Sequence, residues 1–233
     1  MKRNKPSFYI ALLAFALVVF MPKAVALPEA FAKEAAVTTS EILIERDSLR
    51  VLKASNEHIK RGIATTTKIL TAITFIENCP LDKVVEIPKE AEGVEGSSIY
   101  LRAGEKLTVE ELLYGLMLRS GNDAAVALAI ATCGNVKSFA SLMNRTAKAC
   151  GAIESNFTNP HGLDDENHYS TAYDLALITA HAMKNETFKK IADTEKIEIS
   201  NENYDYPRGL VNKNKLVDRG EEYDGVNTGY TKK

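Results

Sequence analysis

Hydrophobic positions change their spacing several times along the chain, and each change marks an element. Residues 41–54 (EILIERDSLRVLKA) hold two short β-rich runs around a polar Arg-Asp-Ser turn, which predicts an antiparallel hairpin. From Thr65 to Glu77 the apolar residues Ile69, Leu70, Ala72, Ile73 and Phe75 cover much of a helix surface instead of one stripe, which predicts a helix buried on most sides. Thr108-Val109-Glu110-Glu111 reads as a capping box, and Leu112, Leu113, Leu116 and Met117 behind it give the inner face of a helix that runs out near Arg119. The chain then turns at Ser120-Gly121-Asn122. Asp123 to Thr132 is alanine-rich and stops at Gly134, and Val136, Phe139, Leu142, Met143 and Thr146 give a further stripe ending at Gly151. A polar loop from Asn156 to His168 precedes a helix opened by Ser170 and carrying Leu175, Ile178 and Met183. Lys196 to Ser200 alternates like a strand, and a polar stretch leads to Gly225–Tyr230, where a last strand is expected. Strands, then helices, then strands is the α+β pattern, not alternating βαβ.

The N-terminus follows a different rule. Lys2, Arg3 and Lys5 precede an apolar run from Phe8 to Met21, and Ala24-Val25-Ala26 offers the small-x-small pattern of a cleavage site. The run is shorter than the roughly 20 residues needed to cross a bilayer, so residues 1–26 are expected to be a secretory signal peptide and 27–233 one domain working outside the cytoplasmic membrane. Ala30-Phe31-Ala32 is a second possible cut. Removing residues 1–26 takes away Lys2, Arg3, Lys5 and Lys23 and no acid, so 25 basic residues face 31 acidic ones and the formal charge moves from -2 to -6. With 45% hydrophobic and 26% charged residues the chain is globular, which excludes collagen, coiled coil and acidic tail, and the missing basic excess argues against nucleic acid. Cys79, Cys133 and Cys150 form no CxxC pair, so they are expected as small core residues and no metal or other cofactor is implied.

Three places carry candidate chemistry. Thr65 and Lys68 lie one turn apart, a spacing that lets an amine take a proton from a hydroxyl if burial or a second cation depresses its pKa. A lysine inside an apolar segment is expensive without partners, and this favours function at Lys68. Ser120-Gly121-Asn122 sits between two helices, where its side chains can enter a cleft, and Asn227-Thr228-Gly229 combines a hydroxyl with a glycine that allows close backbone approach.

In that order the three elements resemble the SxxK, SxN and KTG motifs of the penicillin-recognising serine hydrolases. More narrowly the chain is similar to the D-alanyl-D-alanine carboxypeptidases, the low-molecular-mass penicillin-binding proteins. Residues 64–71, 118–125, 159–165 and 168–175 look like blocks of that family, and the resemblance runs from about Glu41 to Lys233. It implies the penicillin-binding-protein/β-lactamase-like fold, an antiparallel sheet with a helical subdomain. It implies Thr65 as acyl-ester nucleophile, Lys68 as general base, Ser120 as proton relay, and Asn122 as a holder of the substrate peptide. Asn227, Thr228 and Gly229 would bind the substrate carboxylate, and the backbone N–H groups of Thr65 and Tyr230 would form the oxyanion hole. The partners implied are a peptidoglycan stem peptide ending in D-Ala-D-Ala and β-lactams as inhibitors. His161 and His168 are expected to be structural.

Two departures fall on the chemistry. Thr65 stands where the family has serine, adding a γ-methyl to a χ1-restricted side chain, and Asn227 stands where it has a lysine that pairs with the terminal carboxylate. A catalytically inactive relative that binds cell-wall peptide, and a β-lactamase, are the competing readings. The glycine at position 121 and the lack of a recognisable deacylation glutamate loop weigh against a class A β-lactamase. The sequence stops just past the third motif, where the family continues with further strands and often a membrane-anchoring part, so a C-terminally incomplete catalytic domain is expected.

Overall fold

Helix α1, Thr67–Asn78, is the buried helix that the apolar spacing predicts, entered through a 3-10 turn at Ala64–Thr66. The structure is a computed structural model that describes residues 39–200, 206–217 and 225–229; the expected signal peptide and Tyr230 lie outside the described residues. Around α1 pack α2 (Val109–Arg119), α3 (Asn122–Cys133), α4 (Val136–Ala149), α5 (Ala172–Ala182) and the short α6 (Glu186–Ala192). Leu70, Ile73 and Phe75 of α1 are fully buried, each contributing about 1.5–3 kcal/mol of apolar burial, and Phe75 stacks on Phe139 of α4 with centroids 4.2 Å apart. Thr67, Thr71 and Thr74 on the same helix are buried as well, so α1 is enclosed on its polar side too.

The capping box forms as expected. Thr108 Oγ1 accepts from Glu111 N at 3.2 Å while Thr108 N donates to Glu111 Oε2 at 2.8 Å, and α2 begins there. It ends at Ser120, whose φ of +59° places a non-glycine residue in the left-handed region at a cost of about 1–2 kcal/mol. That turn separates α2 from α3 and points the Ser120 and Asn122 side chains away from either helix's own ladder.

Strands occur among the described residues as three antiparallel pairs. β1 (Glu41–Ile44) pairs with β2 (Val51–Ser55) with a register shift at Leu43/Ile44, as the hairpin pattern predicts. β3 (Val84–Glu86) pairs with β4 (Lys106–Thr108), and β5 (Lys196–Ile199) with β6 (Arg208–Val211). The strand expected at Gly225–Tyr230 is corrected: residues 225–229 have no strand assignment and are held by side-chain contacts instead of a ladder. All three cysteines are free thiols; Cys79 is buried, and Cys133 and Cys150 are partly buried against the core.

Candidate active site

The site is assembled from six separated stretches. α1 supplies Lys68, which is fully buried, and its Nζ donates to Asn122 Oδ1 and to His161 O, both at 2.7 Å. The same Asn122 donates through Nδ2 to Glu95 O at 2.6 Å, so its amide orientation is fixed from both ends. The carbonyl of His161 is presented by a turn that Asn159 builds: Asn159 Oδ1 accepts from Gly162 N at 2.7 Å and from His161 N at 3.3 Å. The polar loop of the sequence thus serves to aim one carbonyl at one lysine. Gly162, with φ +83°, permits this, because a Cβ there would overlap the backbone carbonyl of Ala64.

Burial first, and then the nearby Lys213 ammonium, push the Lys68 amine down to about 7, with Asp123 acting in the opposite direction. A neutral amine has two N–H groups and one lone pair. Both N–H groups are taken by Asn122 and His161, which leaves the lone pair to accept a proton.

The Thr65 hydroxyl does not use it in this conformation. Thr65 sits in the 3-10 turn, two residues short of the helix that the sequence suggests should begin with it, and its Oγ1 donates to Thr228 O at 2.9 Å. The residue before it, Ala64, has φ +45°, a second strained backbone position beside the site. Asn227 Nδ2 donates to Thr65 O at 3.3 Å, and Asn227 Oδ1 accepts from Thr228 N at 2.8 Å, so this amide braces the Thr65 turn. Gly229 packs against the same turn, where a Cβ would fall 3.1 Å from Thr65 Oγ1. Ser120 Oγ is buried without a hydrogen-bond partner among the described residues, which costs about 1–3 kcal/mol and makes it an acceptor or donor in waiting.

Thr65, Ser120, Asn227, Thr228 and Gly229 line one cavity of about 270 Å³, with Ser97, Met117, Asn212 and Lys213 completing its wall. A larger apolar groove of about 600 Å³ lies between β1 and α5, lined by Ile42, Ile44, Leu175 and Met183 among others, and none of the residues with candidate chemistry faces it. Tyr230, the expected second oxyanion-hole donor, lies outside the described residues.

His168 and His161 are built into the scaffold. Thr158 N donates to His168 Nδ1 at 3.1 Å, which makes Nε2 the protonated nitrogen; it lies 2.8 Å from Thr67 Oγ1. Burial lowers both imidazoles to about 4; the Lys68 charge acts in the same sense on His161, and Asp165 and Asp164 oppose it on His168. No group of three or more His, Cys, Asp or Glu that could hold a metal is found among the described residues.

Sequence reasoning missed three residues. Asp123 accepts from Ser98 Oγ, Ile99 N, Leu101 N and Ala124 N at 2.6–3.2 Å and thereby ties the Ser97–Leu101 loop to α3 beside the cavity. Ser97 and Lys213 both line the cavity and are joined, Lys213 Nζ donating to Ser97 Oγ at 2.9 Å. The paired asparagines around Lys213 were the available signal, since asparagine spaced by two residues builds turns.

A model of the D-alanyl-D-alanine carboxypeptidase family matches residues 28–233. The chain belongs to that family. It is 38% identical over 217 residues to the D-alanyl-D-alanine carboxypeptidase DacF of Bacillus subtilis, covering 88% of this chain and 56% of that protein. It is 32% identical to DacA of Haemophilus influenzae over 82% of this chain and 49% of the relative. The chain therefore spans about half the length of these curated relatives. Among solved structures, a D-alanyl-D-alanine carboxypeptidase from Mycobacterium tuberculosis superposes with a TM-score of 0.78 at 30% identity, covering 83% of this chain and 73% of the other. A mutant of the Streptomyces K15 DD-transpeptidase gives 0.76 at 31% identity over 83% and 81%. These matches establish the carboxypeptidase family and the penicillin-binding-protein fold, with its antiparallel strands and helical part.

Proposed function

We propose that the protein is a secreted D-Ala-D-Ala carboxypeptidase that trims peptidoglycan stem peptides through an acyl-enzyme on Thr65. The observation that carries the reading is Lys68: a fully buried amine lowered to about 7, with both N–H groups engaged and its lone pair available, three residues from Thr65, which with Ser120 lines the cavity. Thr65 Oγ1 leaves Thr228 O, attacks the carbonyl carbon of the penultimate D-alanine, and gives its proton to Lys68 Nζ, directly or through Ser120 Oγ. The C–N bond then breaks, and the proton passes to the departing amine of the terminal D-alanine. Water adds to the ester, Lys68 takes and returns its proton, and the Thr65 hydroxyl is restored with the shortened acid released. Asn122 and the 227–229 segment hold the peptide. Export rests on the Lys2-Arg3-Lys5, Phe8–Met21 and Ala24-Val25-Ala26 pattern and puts the enzyme outside the cytoplasmic membrane, where its substrate lies. β-lactams would acylate the same hydroxyl.

The test is the intact mass of the purified protein after exposure to a penicillin, with circular dichroism on the same sample. A single adduct mapped to Thr65 is expected, and Thr65→Ser is expected to form it faster because it removes the γ-methyl that restricts χ1. A folded protein that stays unmodified overturns the reading.

A further inference from the structure

The Asn227 position lacks the cation expected to meet a substrate carboxylate, yet the cavity is not without one. Among the residues that line it, Lys213 is the only charged one, and no described carboxylate forms an ion pair with it. Its placement is built. Lys213 N donates to Leu118 O at 3.0 Å, two residues before Ser120, which ties its backbone to the end of α2. On one side Asn212 Nδ2 donates to Ala192 O and Thr194 O at 3.1 and 3.0 Å; on the other Asn214 N donates to Asn212 Oδ1 and Leu216 N to Asn214 Oδ1. Asn214 is itself buried, so the turn carrying Lys213 is fixed by side-chain amides on both flanks. The ammonium donates to Ser97, which also lines the cavity, and it is close enough to Lys68 to depress that amine. Asn227, by contrast, has its amide committed to Thr65 O and to its own turn.

We propose that Lys213 binds the terminal carboxylate of the substrate, supplying from the turn after β6 the positive charge that Asn227 does not supply. The inference rests on the reading of the cavity as a D-Ala-D-Ala site. A carboxylate that displaces Ser97 Oγ as the partner of Lys213 Nζ exchanges a neutral acceptor for a charged one, and a hydrogen bond to a charged group contributes more than a neutral one. The same ammonium helps burial to lower the Lys68 amine, and a bound carboxylate would partly offset its effect.

The experiment is equilibrium binding, by fluorescence anisotropy, of an N-terminally labelled peptide ending in D-Ala-D-Ala and of its C-terminal amide. The purified wild-type protein is expected to prefer the acid by about 10–100-fold, the difference that a charge-assisted hydrogen bond makes. Lys213→Gln is expected to bind both peptides alike, Lys213→Arg to keep the preference, and Lys213→Gln combined with Asn227→Lys to regain it. A protonation effect through Lys68 would change turnover of acid and amide equally and leave this preference intact. Wild-type protein without acid preference, or Lys213→Gln that retains it, overturns the proposal. Penicillin acylation separates the two readings: an adduct with no acid preference sinks only the role of Lys213, and an acid preference without any adduct sinks only the hydrolase.

Discussion

Replacing Lys68 with methionine is expected to lower the rate of penicillin acylation by about 10²–10⁴-fold, the range for removal of a general base. The fold should survive, because methionine has nearly the volume of the buried stem and exchanges a costly amine for an apolar tip. Asn122 Oδ1 and His161 O each lose a donor, and about 1–3 kcal/mol for each buried acceptor left unpaired sets the upper bound on the destabilisation. The wild-type pH profile carries the same information. With Lys68 lowered to about 7, only its unprotonated fraction can act as base, so the acylation rate should rise about tenfold between pH 6 and 8 and then level. Lys68→Met should abolish that rise. Stability follows the same proton: between about 7 and the ordinary value of 10.5 the unfolded chain keeps a proton that the folded one has released, so stability should increase with pH through that window. Acylation time courses on both proteins across pH 5–9 test this, and a flat wild-type profile would remove Lys68 from the mechanism.

The second large effect concerns a residue that makes no bond to substrate. Gly162→Ala would drive a Cβ into the O and C atoms of Ala64, backbone atoms that cannot swing aside, at a φ of +83°. We expect a loss of about 3–5 kcal/mol, at the severe end for one added methyl group in a packed site, and with it the loss of acylation. The mechanism is specific: moving the 159–163 turn away from Ala64 withdraws the His161 carbonyl from Lys68 and strains the turn before Thr65. Urea denaturation of the variant checks the first part, and its penicillin adduct yield checks the second. A Gly162→Ala variant as stable as the wild type would contradict the close approach.

Helices were legible because their apolar spacing is dictated by burial and their ends by local signals: the Thr108 box and the stop at Gly134 act within four residues of sequence. The helix around Lys68 was placed two residues early because Ala64–Thr66 forms a 3-10 turn, where i+3 side chains still align. β3 and β4 were missed because three residues of alternation are too few to register, and the seven-residue α6 carries only two turns of stripe. The 225–229 segment reads as a strand from composition alone, and nothing local says that its amide and carbonyl groups go to Thr65. Of the site, the stretches around Thr65, Ser120 and Asn227 were visible through their resemblance to known motifs. Lys213 was not, because a surface-type lysine in a polar stretch becomes a cavity wall only when tertiary packing brings the turn after β6 against the end of α2.

The hydrogen bond from Thr65 to Thr228 joins residues 163 positions apart. Closing so long a loop gains nothing until the intervening helices have docked, whereas α2, α3 and α4 meet their neighbours within a few tens of residues. The Thr65–Thr228 contact is thus expected to report the end of chain collapse. In refolding from urea, a fluorescent penicillin added at successive delays should label protein later than helical ellipticity returns, and simultaneous recovery of the two signals would show that this long-range closure is not the late event.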